Sequence, residues 1–119
     1  MKKLIYIFAL LLIILACEKE REEVAVKYRV SKAYSDTEIT YRDKDAILET
    51  EVIQFESVED IWEYSYSGKR GDIIYISTVY HDSSSSVNVE ILLDGKTFKK
   101  GSSSNEPDKY VTVSGTIPY

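Results

Sequence analysis

Two hydrophobicity patterns divide the chain. An unbroken apolar run extends from residue 4 to residue 16, behind two lysines. After a charged segment at residues 18–23, apolar and polar residues alternate at every second position in a series of short runs. Alternation with period two is typical of a β-strand that buries one face, whereas a period of about 3.6 would indicate a helix. The patterns therefore predict a short leader followed by a domain built from strands.

Eight short segments carry the strand pattern. The clearest is residues 24–30, where valine and tyrosine at even positions alternate with alanine, lysine and arginine. Residues 71–81 are rich in β-branched and aromatic residues on both faces, as expected of a central strand. The other segments are residues 38–43, 49–57, 61–67, 87–95, 96–100 and 109–115. Polar stretches with turn chemistry separate them, among them residues 81–86 and 101–108. Seven or eight short strands at near-regular spacing predict an all-β fold, an antiparallel β-sandwich.

The buried faces of two segments can be assigned from their side chains. In residues 49–57 we favour Ile53 and Phe55 over Val52 and Gln54 as the buried pair, because the first pair is the more apolar. Trp62 is predicted to lie in the core, since a tryptophan between the sheets is common in sandwiches. The residues left open between the core and an exposed aromatic face are Tyr64, Tyr66 and Tyr80.

A tight hairpin is predicted at Asp94-Gly95. An Asp-Gly pair between two strand patterns is a strong hairpin signal, because both residues tolerate positive φ. Such a turn fixes the register of the strands beside it. The expected orientations are inward for Ile91 and Leu93 and outward for Glu90 and Leu92. A charge at Leu92 should then be tolerated.

The apolar run is too short to span a membrane. It has 13 residues, whereas a spanning helix needs about 20 and the apolar region of a signal peptide has about 7–15. It ends in Ile14-Leu15-Ala16-Cys17, which resembles a bacterial lipobox: an aliphatic residue, a tolerated second position and a small residue before an obligatory cysteine. The resemblance implies that residues 1–16 are a cleaved lipoprotein signal peptide and that Cys17 carries the lipid. An ordinary signal peptide is the alternative.

An acidic tether follows the predicted lipid attachment site. Residues 17–23 are therefore predicted to be a lipidated cysteine with its tether. "EKEREE" at residues 18–23 has four glutamates and no apolar residue, so it cannot bury surface. It resembles the surface-export signals of Bacteroidota lipoproteins, and a plain spacer is the alternative. Cleavage would leave 13 basic and 20 acidic residues, a net charge of −7. That balance argues against nucleic acid as a partner, because nucleic acid requires a basic face.

Few residues suggest catalysis or metal binding. The single histidine, His81, is followed by Asp82 and serines, and neighbouring strand residues point to opposite sides, so they cannot form a catalytic relay. The acidic residues that suggest calcium are Asp43, Asp45, Glu49 and Glu51. They lack the glycine and distal glutamate of an EF-hand loop, and a solvated acidic strand edge is the alternative. We therefore expect no enzymatic activity, no cofactor and no metal site.

The strand segments together resemble the soluble domain of a known family. The recognisable points are Ile39-Thr40-Tyr41, Trp62 before an aromatic strand, Gly71-Asp72 opening the next strand, and "VEILLDGK" at residues 89–96. Across most of residues 26–115 the pattern is similar to the MmpS family of small envelope proteins, best known from mycobacteria. The resemblance implies an Ig-like β-sandwich that acts as an accessory partner of resistance-nodulation-division lipid exporters. Family members usually have a transmembrane helix where this chain has a lipobox.

Two functions follow for the domain of residues 24–119, held at the cell envelope, in the outer membrane, by the lipid on Cys17. The first is a non-enzymatic binding or accessory module of MmpS-like type, which contacts another envelope protein and assists a transporter or complex. The alternative is a surface-exposed lipoprotein that binds a glycan or a host molecule through an aromatic face. A free strand edge with an apolar patch would favour the first, and an exposed aromatic patch flanked by polar donors the second.

Replacing Cys17 by Ser should abolish acylation, because the lipid is joined through the cysteine sulfur. Cells that express Cys17→Ser should contain an unprocessed precursor or a soluble product. Metabolic labelling with a palmitate analogue, followed by membrane fractionation, measures both. Label that persists on the variant would contradict the lipobox.

Overall fold

The computed structural model describes residues 23–119, so Cys17 and the predicted signal peptide lie outside the described residues. Within this range eight strands form two four-stranded antiparallel sheets, and no helix is present that could span a membrane. The strands are β1 (Glu23–Ser31), β2 (Asp36–Arg42), β3 (Leu48–Gln54), β4 (Trp62–Lys69), β5 (Ile73–Tyr80), β6 (Ser86–Leu93), β7 (Lys96–Ser104) and β8 (Val111–Thr116). The predicted antiparallel β-sandwich is confirmed, with eight strands.

The two sheets meet along one side and are separated along the other. Their strand orders are β4-β1-β6-β7 in the first sheet and β3-β2-β5-β8 in the second. On one side β7 packs against β8, where Lys99 Nζ donates to the Ser114 carbonyl at 2.9 Å. On the opposite side lie the two remaining edge strands, β3 and β4. We call the side formed by β3 and β4 the open side.

The core follows from the period-two alternation. Inward residues of β1, β5 and β6 are fully or nearly fully buried: Val24, Val26, Tyr28, Val30, Ile74, Ile76, Val87, Val89 and Ile91. Each such side chain contributes about 1.5–3 kcal/mol when it leaves water. Tyr80 also lies in the core, which settles one of the tyrosines left open by the sequence. The predicted inward pair is confirmed, because Phe55 is buried and Ile53 packs against the core, whereas Val52 is 64% exposed.

One segment predicted as a loop is a strand. Residues 101–104, which carry a Gly-Ser-Ser-Ser sequence, extend β7 to Ser104 and pair with residues 86–89 of β6. Ser103 points inward, and its hydroxyl donates to the hydroxyl of Tyr80 at 3.1 Å. The ladder with β6 and this buried bond outweigh the weak strand propensity of glycine and serine.

The hairpin prediction is confirmed for the turn and for the outward orientation of Leu92, but the expected tolerance of a charge at Leu92 is wrong. Asp94 and Gly95 both have positive φ, 51° and 80°, and Leu93 packs against the core. Leu92 is on the outer face, yet it is only 7% exposed. It belongs to an interior strand and lies opposite Lys27 of β1 and Thr97 of β7. Because Leu92 is buried, a charge there would be costly rather than tolerated.

Gly95→Val should destabilise the domain by about 1–2 kcal/mol, because a β-branched residue is strained at positive φ. Apart from its own chain neighbours, no heavy atom lies within 4 Å of a Cβ built at this position, so the cost belongs to the backbone alone. Gly95→Asn is the matched control and should cost much less, since asparagine tolerates this region. Urea unfolding measures both. Equal stability of the two variants would contradict the assigned turn.

Candidate interaction site

Five aromatic rings fill the gap between the sheets on the open side. These rings, which we call the aromatic cluster, are Tyr28 of β1, Tyr41 of β2, and Trp62, Tyr64 and Tyr66 of β4. The ring centroids of Tyr41 and Tyr64 are 4.8 Å apart, and those of Tyr41 and Trp62 are 5.1 Å apart. Tilted aromatic pairs at such distances contribute about 0.5–1.5 kcal/mol beyond their buried area. The cluster therefore joins the sheets where no strands pair.

The alternation in β4 places three of these rings on its inward face. Trp62, Tyr64 and Tyr66 are separated by outward polar residues, and Tyr64 lies directly opposite Tyr28 in the ladder with β1. All three β4 rings are half-buried and pack against the core. The predicted inward position of Trp62 is confirmed, although its ring is partly exposed. Tyr64 and Tyr66 belong to the border of the core rather than to an open platform.

Tyr28 joins the two sheets through its hydroxyl. The hydroxyl donates to the Arg42 carbonyl at 2.8 Å and accepts from the Tyr75 backbone N–H at 3.4 Å. Arg42 belongs to β2 and Tyr75 to β5, so one side chain of the first sheet binds two strands of the second. Burial raises the pKa of Tyr28 far above its ordinary value, which keeps the hydroxyl protonated as a donor.

Tyr41 connects the aromatic cluster to the carboxylates of β3. Its hydroxyl donates to Glu51 Oε2 at 2.9 Å. Burial, together with this bond to the Glu51 carboxylate, raises the pKa of Tyr41 to about 12. Tyr41 is only 7% exposed, whereas Glu51 is exposed. Tyr41 thus places a carboxylate at the entrance of the gap between the sheets.

β3 is an edge strand that is exposed on both faces. It pairs with β2 and with no other strand among residues 23–119. Its inward positions carry Glu49 and Glu51, opposite Tyr41 and Ile39 of β2. Its outward positions carry Leu48, Thr50 and Val52. The solvated acidic strand edge, given above as the alternative to a calcium site, therefore describes β3 well.

The alternation of hydrogen-bonded and non-bonded pairs in the β2–β3 hairpin leaves every second residue of β3 with backbone groups that do not bond to β2. The Asp43 N–H donates to the Ile47 carbonyl at 2.9 Å. Hydrogen-bonded pairs alternate with non-bonded pairs in an antiparallel ladder, so the residues at 48, 50 and 52 are in non-bonded positions toward β2. The Thr40 and Thr50 hydroxyls lie 3.0 Å apart, as expected for such a closely spaced pair. The backbone groups of Leu48, Thr50 and Val52 therefore point away from β2.

Exposed apolar side chains concentrate on this part of the chain. Of the nine large exposed hydrophobic residues of the described range, five fall between residues 47 and 61. They are Ile47, Leu48, Val52, Val58 and Ile61. All five lie on β3 or on the segments that adjoin it. An edge strand with exposed apolar side chains is a recognised site of protein association.

Three of the four acidic residues considered for calcium, Asp43, Glu49 and Glu51, have other partners. Asp43 Oδ1 accepts the backbone N–H groups of Asp45 and Ile47 at 2.8 and 3.0 Å, and the bond from Ile47 lowers the pKa of Asp43. A hydrogen bond with Asp43 raises the pKa of Glu49. In residues 23–119 no three potential ligands form a metal-binding group. Asp43 therefore stabilises the hairpin turn.

His81 and Asp82 are exposed in the β5–β6 connection and bind different partners. His81 Nδ1 pairs with Asp108, while Asp82 accepts the Ser84 N–H at 2.9 Å and the Ser84 hydroxyl at 2.7 Å. No sequence signal indicated Asp108, which is 27 residues from His81. The Asp108 N–H also donates to the Tyr80 carbonyl at 2.8 Å. These bonds join the β5–β6 and β7–β8 connections.

Comparison with known proteins adds no relative. No family model matches the chain, and no curated protein is significantly similar to it. The resemblance to the MmpS family therefore stays a prediction that rests on the sequence motifs.

Tyr28→Phe should destabilise the domain by about 1–2 kcal/mol, because it leaves the Arg42 carbonyl and the Tyr75 N–H without this buried partner. Tyr66→Phe is the matched control, since the Tyr66 hydroxyl lies 3.4 Å from that of Tyr28 and its side chain is only half-buried. Its cost should be clearly smaller. Urea unfolding compares the two variants. Equal losses would contradict the role of Tyr28 in joining the sheets.

Proposed function

We propose that the chain is a lipid-anchored, non-enzymatic module of the cell envelope that binds another envelope protein through the open side. The unpaired edge of β3, with its exposed apolar side chains, carries this proposal. The lipid on Cys17 holds the domain at the outer membrane. Its role is that of an MmpS-like accessory protein, and the partner belongs to an envelope transporter or complex.

The side chains of β3 favour pairing with another strand rather than protection of the edge against it. Natural edge strands are usually blunted by lysine, proline, a bulge, inward-pointing charges or a covering loop, because a free edge invites pairing. β3 carries two inward charges, Glu49 and Glu51, but neither lysine nor proline, and Leu48 is 61% exposed beside the free backbone groups. The edge strand β4 differs, since its outer face is polar and Glu63 there pairs with Lys27 and Arg29. β3 is therefore the better docking edge.

The alternative of a glycan or host-molecule binder receives less support. A sugar platform needs flat exposed rings with polar donors beside them. In the aromatic cluster the rings pack against one another, and the hydroxyls of Tyr28 and Tyr41 already donate within the domain. The Tyr64 hydroxyl accepts the Lys44 N–H at 3.1 Å. These contacts favour a role of the cluster in holding the sheets together.

A photo-crosslinking amino acid in place of Val52 should join the full-length chain to an envelope protein in its native host. The matched control position is Tyr110, which is similarly exposed, at 66%, but lies before β8. The expected result is one crosslinked partner at position 52 that is absent at position 110, identified by mass spectrometry. Absence of a crosslink at position 52, or the same products at both positions, would contradict the proposal.

The same experiment in a Thr50→Pro background tests whether the backbone edge is used. The Thr50 N–H points away from β2, so its loss should spare the β2–β3 ladder while it removes a donor for an added strand. The crosslink should disappear in Thr50→Pro and persist in Thr50→Ala, which removes only the hydroxyl. A crosslink that persists in Thr50→Pro, when its melting temperature stays near that of Thr50→Ala, would show that the partner does not use the edge.

A further inference from the structure

We infer that the partner presents an extended segment in which basic and apolar side chains alternate, and that this segment adds to β3 as a fifth strand of the second sheet. This inference rests on the proposed function and specifies the chemistry of the partner. The backbone groups at residues 48, 50 and 52 provide the hydrogen bonds. Strand addition of this kind takes affinity from the main chain and specificity from alternate side chains.

The outer face of β3 selects apolar side chains. Leu48 and Val52 flank Thr50 on this face, and both are more than half exposed. A strand added at the usual spacing of about 4.8 Å would place every second side chain beside them. Apolar partner residues would remove this surface from water at about 25 cal/mol per Å².

The inner face of β3 selects basic side chains. Glu49 and Glu51 are exposed there, and neither takes part in an ion pair in the described part of the chain. Their hydrogen-bond partners, Asp43 and Tyr41, add no positive charge. Opposite charges directly across a ladder contribute about 0.2–1 kcal/mol for each pair. Lysine or arginine on the added strand would therefore form ion pairs with Glu49 and Glu51.

The aromatic cluster also favours basic side chains on the added strand. Trp62 and Tyr64 are half-buried on the open side and pack against Tyr41, whose hydroxyl binds Glu51. A cation near an aromatic ring gains about 0.5–1 kcal/mol at an exposed site. The long apolar stem of lysine or arginine can also lie along such rings while its charge reaches a carboxylate.

The negative charges of β3 disfavour a second copy of this chain as the strand that pairs with its edge. Two β3 strands that paired in antiparallel fashion about Thr50 would place Glu49 of each copy opposite Glu51 of the other. Like charges directly opposite one another destabilise a ladder. The edge is therefore selective for a different chain with the opposite charge.

The test measures binding of three synthetic peptides to the purified full-length protein in detergent micelles. The first alternates valine and lysine, the second has the same composition with the two residues in separate blocks, and the third alternates valine and glutamate. Trp62, the only tryptophan of the chain, lies on the open side and reports binding by its fluorescence. The alternating basic peptide should bind at least about tenfold more tightly than either other peptide.

Two matched double variants test the carboxylates. Glu49→Gln with Glu51→Gln should weaken binding of the alternating basic peptide by about tenfold. Glu56→Gln with Glu59→Gln removes the same charge from exposed residues beyond the end of β3, and should have little effect. Both exchanges nearly preserve side-chain size at exposed positions, and thermal melts confirm that the domains are folded. Thr50→Pro should also lose the peptide, whereas Thr50→Ala should retain it.

The outcomes separate this inference from the proposed function. Equal binding of the basic and acidic peptides, or equal weakening by the two double variants, would overturn the alternating basic strand. A crosslink at position 52 in cells would still support the proposed function in that case. A dimer of the full-length chain that Thr50→Pro dissociates would also overturn the inference, because the occupant would then be a second copy.

Discussion

The hydroxyl of Tyr28 is the contact on which the open side depends. It lies in the fully buried side chain of a first-sheet residue and binds the backbone of both β2 and β5. The other aromatic rings pack around it and fill the gap that strand pairing leaves. Because rings rather than backbone close this side, the edge of β3 keeps free hydrogen-bonding groups. The proposed function and the proposed strand addition both follow from this arrangement.

Local pattern predicted much of the fold because alternation reports directly on which face is buried. Residues 24–30 lie within β1, β5 occupies residues 73–80 of the predicted segment 71–81, and Phe55 is buried. The Asp94-Gly95 turn has the positive φ values that its sequence predicts. These features depend on neighbouring residues along the chain. They were therefore visible in the sequence alone.

The features that the sequence missed depend on neighbours across the sheet. The extension of β7 needs the ladder with β6, and the burial of Leu92 needs strands on both sides of it. The arrangement of the open side also depends on neighbours across the sheet. Glu51 reaches Tyr41 only because β2 and β3 form a hairpin, and the free groups of β3 depend on the phase of that ladder. The acidic pattern alone indicated a solvated strand edge, but not which backbone groups of that edge are free.

Amide hydrogen exchange, resolved by residue in the full-length protein, tests the central claim most directly. In the free protein the amides of Thr50 and Val52 should exchange rapidly, while those of Glu49 and Glu51, in the bonded positions of the ladder, should be protected. Addition of the alternating valine–lysine peptide should protect Thr50 and Val52 as well. Protection of these two amides in the free protein, or their continued rapid exchange when the peptide is bound, would contradict a free edge that accepts a strand.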